Sequence, residues 1–152
     1  MGKEYTVVHS LEEFAAAREQ FSYLVNRLQS EEMGRMEHGE VEATIAQEGN
    51  ELLRRLLQGH LDLRAGTEER RPEVEGADGV ARRYGRCRQR ELMSLFGVVE
   101  VSRLGYGARR ERSLFPLDAE LNLPLDKYSH GLRCRVAEEV AKIPSMRVLR
   151  VW

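Results

Sequence analysis

The sequence has few of the residues that form cross-links or bind metals. Only two cysteines, Cys87 and Cys134, occur in 152 residues, and no two cysteines and no two histidines lie within four residues of each other. Small disulfide-built domains contain many more cysteines, and zinc sites usually use closely spaced pairs of ligands. We therefore expect no disulfide scaffold, no metal site and no cofactor.

Long apolar runs are also missing. The amino-terminal stretch MGKEYTVVHSLEEF lacks the apolar segment of a signal peptide, and no later stretch approaches the roughly 20 apolar residues of a membrane span. Overall, 41% of the residues are hydrophobic and 32% are charged, as in ordinary folded domains. These features predict a cytoplasmic protein with reduced thiols that does not enter a membrane.

Aspartate is scarce, which argues against catalysis by paired metal ions. The four aspartates are Asp62, Asp78, Asp118 and Asp126. Two-metal phosphoryl transfer needs carboxylates that converge on cations about 4 Å apart. Asp78 lies in a segment of linker composition, and the last two flank a proline turn, where aspartate commonly bonds to its own backbone. No serine or cysteine stands beside a base, so we expect no catalytic residue and no enzymatic activity of this chain alone.

The charge is distributed unevenly. The formal net charge is −1, but residues 1–50 hold ten glutamates against four basic residues, whereas residues 82–112 hold nine arginines, no lysine and three glutamates. The first segment is therefore −6 and the second +6. A basic surface of this kind favours a polyanionic partner, and the acidic half is expected to stay away from phosphates.

The amino-terminal half shows two helical patterns, which predict a helical hairpin over residues 1–66. After a β-prone stretch at Tyr5–Val8, a capping box at Ser10–Glu13 predicts the start of a first helix over about 11–33. A second helix follows the short glycine-containing region 34–39 and ends at Ala65–Gly66. The width of the combined apolar surface suggests a further partner, and we expect a possible homodimer through these helices.

The second half reads as a small β-rich module. Residues 67–79 have the charge, proline and glycine content of a linker, and residues 80–124 form the basic module. Phe96-Gly97 separates two β-prone runs, Glu91–Phe96 and Val98–Leu104, which predicts a β-hairpin.

The hairpin is followed by two further predicted elements. Ser113–Pro116 reads as a third, edge-like strand, because proline lacks the amide needed inside a sheet. Ser129 is a suitable N-cap for a helix from His130 to about Lys142, within a final segment 125–152 that ends in a tail of unclear packing. The predicted fold class is α+β, with a long amino-terminal helical hairpin, an antiparallel ribbon and a carboxy-terminal helix.

The arginines are the candidate site. Arginine's planar fork suits phosphate and guanine edges, tyrosine stacks or donates to phosphate, and a two-stranded ribbon fits the major groove. The competing interpretation is that the arginines form a solvent-exposed face whose positive charge is balanced by nearby acidic residues. Because local acids are few and Tyr84 and Tyr106 lie among the charges, we predict a DNA contact, with Arg103, Arg109 and Arg110 at its centre. The full predicted set is Arg82, Arg83, Arg86, Arg88, Arg90, Arg103, Tyr106, Arg109, Arg110 and Arg112.

Several segments in order resemble the amino-terminal region of bacterial insertion-sequence transposases of the Kra type, over about residues 10–142. The segments that carry the resemblance are HSLEEF, ELLRRLLQGHLDLRA, GADGVARR, SLFGVVEVSRLGYGAR, SLFPLDAELNLP and YSHGLRCRVAEEVAK. The resemblance implies a helical amino-terminal part and a β-rich module next to DNA. In that family a ribonuclease-H-like domain with acidic, metal-binding catalytic residues follows the matched region, so no catalytic residue is carried over to this chain.

The departure from the family pattern comes after Lys142, where this chain reads IPSMRVLRVW. The resemblance therefore leads us to expect a truncated transposase that retains DNA binding and assembly for DNA transposition and recombination but lacks strand transfer. Two other interpretations stay open: a free-standing DNA-binding regulator of transposition from the mobile element, and a helical protein-interaction module with merely solvated arginines. A metal-dependent nuclease built on Asp118 and Asp126 is the least favoured.

Overall fold

A computed structural model describes residues 12–143 of the chain. About half of the protein is helical and about a fifth is in strands, which confirms the predicted α+β class. The predicted β-prone stretch Tyr5–Val8, the start of the capping box at Ser10 and the tail after Ile143 lie outside the described residues. Across residues 12–143, no helix is both long enough and apolar enough to cross a membrane.

Between residues 12 and 66 the named helices are α1 (Ala15–Leu28), α2 (Glu31–Gly34) and α3 (His38–Gly66). The single first helix predicted over 11–33 is wrong in one respect, because it is divided at Ser30. The Ser30 hydroxyl donates to the Arg27 carbonyl at 2.7 Å and accepts from the Met33 amide at 3.3 Å. It thus closes one helix and caps the next, as serine does at helix starts. The second predicted helix ends at Gly66, as expected.

Helices α1 and α3 pack side by side in opposite directions. Ala17 and Leu24 are buried between them, and Gln20 donates to the Glu48 carboxylate at 2.8 Å. Gly59 permits the close approach, because a β-carbon there would lie only 2.6 Å from the Glu13 carbonyl oxygen. The predicted helical hairpin is therefore present, and its two helices come closest where the residues are small.

The β-hairpin consists of β3 (Tyr84–Ser94) and β4 (Gly97–Gly107), which pair along their whole length. The turn is Leu95-Phe96, and Gly97 after it has a φ of +121°, a conformation that glycine tolerates. The predicted hairpin is therefore confirmed, with its turn one residue earlier than the predicted Phe96-Gly97. Strand β3, however, begins seven residues before the predicted Glu91, because its basic first half lacks the apolar alternation that identifies a strand.

Helix α3 and the residues directly after it lie along the open edge of β4 and supply polar side chains to the hairpin. Asn50 donates to the Phe96 carbonyl at 3.0 Å, and the Glu68 carboxylate accepts the Leu104 amide at 2.8 Å. Below these contacts, Leu61 of the helix packs on a small core of the hairpin, formed by Leu92, Val99 and Val101. The helical and β parts therefore share one core rather than being joined only by a flexible segment.

Two segments of the second half differ from the prediction. Part of the predicted linker 67–79 is structured, because β1 (Val74–Glu75) pairs with β2 (Ala81–Arg82). The predicted third strand at Ser113–Pro116 is reduced to a single bridge between Leu114 and Tyr106. Pro116 instead begins α4 (Pro116–Glu120), where the first helical turn needs no proline amide.

The carboxy-terminal helix α5 (His130–Lys142) has the predicted start and end. The Leu132 amide donates to the Ser129 hydroxyl at 3.1 Å, which confirms the predicted N-cap. The segment before it is held to the outer edge of β3, where the Met93 amide donates to the Lys127 carbonyl at 2.6 Å. Beyond its first turn the helix projects from the module, and Val136 and Val140 are exposed.

Candidate nucleic-acid interface

Arg82 was predicted to contact DNA, but the structure gives it an internal role. Its side chain is only 2% exposed and donates to both oxygens of Asp78, at 3.1 and 2.6 Å, and to the Val80 carbonyl at 2.8 Å. A further bond reaches the Arg112 carbonyl at 2.8 Å. These bonds tie the β1–β2 turn to the loop after β4. The hydrogen bond from Arg82, followed by that from the Val80 amide, lowers the pKa of Asp78 to about 2.

Arg103 is likewise structural rather than free to meet a ligand. It is 8% exposed, and its Nε donates to the Asp118 carboxylate at 2.9 Å. The guanidinium also lies over the Phe115 ring, with its central carbon 4.2 Å from the ring centroid. A cation stacked on an aromatic face and paired with a carboxylate is well satisfied inside a protein. Asp118 lies in α4, and its carboxylate bonds to Arg103 instead of to its own backbone, which differs from the expected turn contact.

Tyr106 is the third predicted DNA contact that the fold buries. Its side chain is 1% exposed, and its hydroxyl accepts the Arg71 amide at 2.9 Å. Its backbone also exchanges two hydrogen bonds with Leu114, at 2.8 and 2.9 Å. Arg82, Arg103 and Tyr106 are therefore removed from the predicted contact, because each is buried among protein partners.

Two more of the predicted arginines have protein partners near the surface. Arg90 is half-buried, and its Nη2 donates to the Pro124 carbonyl at 2.9 Å. Arg83 is exposed but pairs with Glu73 at 2.9 Å. Arg90 and Arg83 therefore fit the competing interpretation, in which the positive charge is bonded or balanced within the protein.

The remaining five predicted arginines are exposed, and none of them forms an ion pair with any residue in the range 12–143. By contrast, nearly every helical arginine in that range has a carboxylate partner, for example Arg27 with Glu48 and Arg54 with Glu51. Unbalanced positive charge is thus concentrated on the β module. The five are Arg86, Arg88, Arg109, Arg110 and Arg112.

Three of these arginines line one groove at the open end of the hairpin. Tyr84, Arg86 and Arg88 come from alternate positions of β3 and therefore point to one face of the ribbon, while Arg109 comes from the loop after β4. We call the surface formed by Tyr84, Arg86, Arg88 and Arg109 the arginine groove. Its charge and its exposed aromatic ring suit phosphates and a planar group side by side.

Glycines shape this groove. Gly107 and Gly105 stand directly opposite Tyr84 and Arg86 in the ribbon, so no cross-strand side chain covers these two residues. A β-carbon at Gly105 would lie 2.6 Å from the Phe115 ring, so glycine is what allows Phe115 to pack there and to support Arg103. The sequence Gly105-Tyr106-Gly107 is therefore a packing feature of the strand.

Tyr84 is the residue that the predicted site set omitted. It is 74% exposed, whereas the predicted Tyr106 is buried. A signal for it existed in the sequence, because Tyr84, Arg86 and Arg88 follow the two-residue period that puts side chains on one face of a strand. That signal becomes readable only when the basic segment is assigned to a strand.

Residues 12–143 contain no group of three or more metal-ligating side chains that could hold an ion. Cys87 and Cys134 are both free thiols at the surface. Comparisons with protein-family models, with curated proteins and with solved structures find no match to this chain.

Proposed function

We propose that this chain is the DNA-binding and assembly portion of an insertion-sequence transposase, with no strand-transfer activity of its own. One observation carries the proposal: five exposed arginines of the β module have no carboxylate partner among the described residues. The resemblance of residues 10–142 to Kra-type transposases supplies the biological context. The proposal leaves the chemistry of strand cleavage to a catalytic domain of the kind that the family uses.

The physical argument is one of charge. An arginine that neutralises a DNA phosphate releases condensed counterions, which favours binding without regard to sequence. An arginine already paired with a glutamate gains less, because that pair must be broken first. The unpaired set Arg86, Arg88, Arg109, Arg110 and Arg112 is therefore suited to phosphate binding, and the set Arg82, Arg83 and Arg103 is not.

A charge-neutralising variant tests the proposal. We expect R86Q/R88Q/R109Q to bind a 20-base-pair blunt duplex roughly 10- to 100-fold more weakly at low salt, as measured by fluorescence anisotropy. The matched control is R18Q/R35Q/R135Q, which removes the same charge from exposed positions outside the β module. Equal affinities of the two variants would contradict the proposal. Arg103 is left unchanged, because its replacement would disturb the fold.

A second candidate function, assembly through the helices, is favoured by apolar side chains on their surface. Phe21 of α1 and Ile45, Leu53 and Leu56 of α3 are exposed to solvent, although helices usually bury such residues. We propose that these helices also form a homodimer. Size-exclusion chromatography with light scattering tests this: F21E/L53E is expected to be monomeric where the natural chain is dimeric. A monomer for both chains would contradict self-association.

A further inference from the structure

Within residues 12–143, Tyr84 differs from the other two exposed tyrosines in its surroundings. The Tyr23 hydroxyl accepts a hydrogen bond from Arg27 at 3.3 Å. The Lys127 ammonium lies over the Tyr128 ring, 5.4 Å from its centroid. Tyr84 is the most exposed of the three, and its hydroxyl has no hydrogen-bond partner in residues 12–143. Its ring stands in the arginine groove with both stacking and hydrogen-bonding capacity unused.

The spacing of the side chains in the arginine groove suits the backbone of one extended polynucleotide strand. Alternate residues of a β-strand are about 6.8 Å apart, so Tyr84, Arg86 and Arg88 present a ring and two guanidinium groups at even intervals. Successive phosphates of an extended polynucleotide strand have similar separations. Arg109, across the groove, adds a third cation without a carboxylate partner in the described range.

We propose that the arginine groove binds an unpaired nucleotide at a DNA end or junction, with its base stacked on Tyr84 and its flanking phosphates on Arg86, Arg88 and Arg109. Inside a duplex both faces of each base are covered by neighbouring bases, so away from the duplex ends a tyrosine face reaches a base once it has left the stack. Exposed aromatic rings beside a basic track are how proteins hold single strands without reading sequence. This inference deepens the proposed DNA binding and rests on it.

The surroundings of Tyr84 leave space for a base to stack on its ring from the solvent side. The opposite position in the ribbon is Gly107, and the nearest atom to a β-carbon there would be the Ser113 hydroxyl at 3.6 Å. Ser113 therefore lies beside Gly107, and the position of β4 opposite Tyr84 carries no side chain. A planar base placed on the outer face of Tyr84 meets no side chain from β4.

The test compares two DNA probes. One is a 20-base-pair blunt duplex, and the other is the same duplex with a five-nucleotide single-stranded overhang that contains 2-aminopurine. We expect Y84A to weaken binding of the overhang probe by about 5- to 150-fold, the range for losing one stacked base, and to leave the blunt duplex within about twofold. Y84F keeps the ring and is expected to retain affinity for both probes. The matched control is Y23A, an exposed tyrosine on α1.

The fluorescence of 2-aminopurine gives a second readout, because stacking on an aromatic ring quenches it. We expect quenching with the natural chain and with Y84F but not with Y84A. Unchanged overhang affinity and quenching in Y84A would overturn the inference. So would an equal loss for both probes, since that would mean a general role in binding.

The two proposals fail separately. If R86Q/R88Q/R109Q weakens the blunt duplex while Y84A has no effect on the overhang, DNA binding stands and the nucleotide site is wrong. If blunt-duplex binding does not depend on the arginines but overhang binding depends on Tyr84, the site stands and the proposed duplex-binding function is wrong.

Discussion

The side-chain amide of Gln58 pairs with the backbone of Glu100 as a neighbouring strand would. Its nitrogen donates to the Glu100 carbonyl at 2.9 Å, and its oxygen accepts the Glu100 amide at 2.8 Å. An unpaired strand edge is a site for pairing with other chains, and proteins commonly cover it. Helix α3 therefore protects β4 by a polar side chain and also aligns the hairpin relative to the helices.

This pairing predicts a stability loss on removal. Q58L removes the hydrogen-bond partners of both the Glu100 amide and the Glu100 carbonyl. We expect the free energy of unfolding to fall by about 1–3 kcal/mol, as measured by urea denaturation followed by circular dichroism. Gln47 lies on the same helix and is exposed, so Q47L is the control and is expected to change stability by less than about 0.5 kcal/mol. Equal effects of the two changes would show that the edge pairing adds nothing.

A second prediction concerns acid. The pKa of Asp78 is lowered from 3.8 to about 2 in the folded protein, first by the hydrogen bond from Arg82. A carboxylate with a lowered folded pKa stabilises the fold above its unfolded pKa, and the benefit is lost as the pH falls through the folded value. We expect D78N to be less stable than the natural chain at pH 7, and the difference to shrink between about pH 4 and pH 2. Urea denaturation across this range measures it, and a pH-independent difference would contradict the role of the charge.

The helices and the hairpin could be predicted because their signals are local. Ser129 and Gly66 mark helix ends by their own chemistry, and Gly97 marks the turn that joins two β-prone runs. The division at Ser30 was missed because the apolar period continues across it. The β1–β2 pair was missed because a charged segment with proline and glycine has the composition of a linker, and its order comes from the Arg82–Asp78 contact.

The roles of the individual arginines could not be predicted from counting charge. Arg103 and Arg88 stand opposite each other in the ribbon, yet one is buried and the other exposed. The difference comes from Phe115 and Asp118, which approach Arg103 from a later part of the chain. Which cations are free to bind is therefore decided by tertiary packing, whereas the excess of cations over acids is visible in composition.

A third prediction follows from the tight packing at Gly105. G105A places a methyl group 2.6 Å from the Phe115 ring, and we expect a loss of about 1–3 kcal/mol in the free energy of unfolding. Gly49 has open space around its β-carbon position and a helical backbone, so G49A is expected to stabilise by up to about 1 kcal/mol. Thermal and urea denaturation compare the two. A neutral G105A would show that Phe115 can move without cost.

The last prediction separates paired from unpaired arginines within the same module. Each arginine that neutralises a phosphate contributes about 0.9 to the slope of log affinity against log salt concentration. Arg88 has no ion pair in the described range, so R88Q is expected to reduce the slope by about that amount. Arg83 is also exposed to solvent but pairs with Glu73 at 2.9 Å, so R83Q is the control and is expected to change the slope much less. Anisotropy titrations of a blunt duplex between about 50 and 200 mM salt measure both slopes. A larger change for R83Q than for R88Q would mean that pairing does not decide which arginines meet DNA, and the phosphate contacts would then have to be assigned elsewhere on the module.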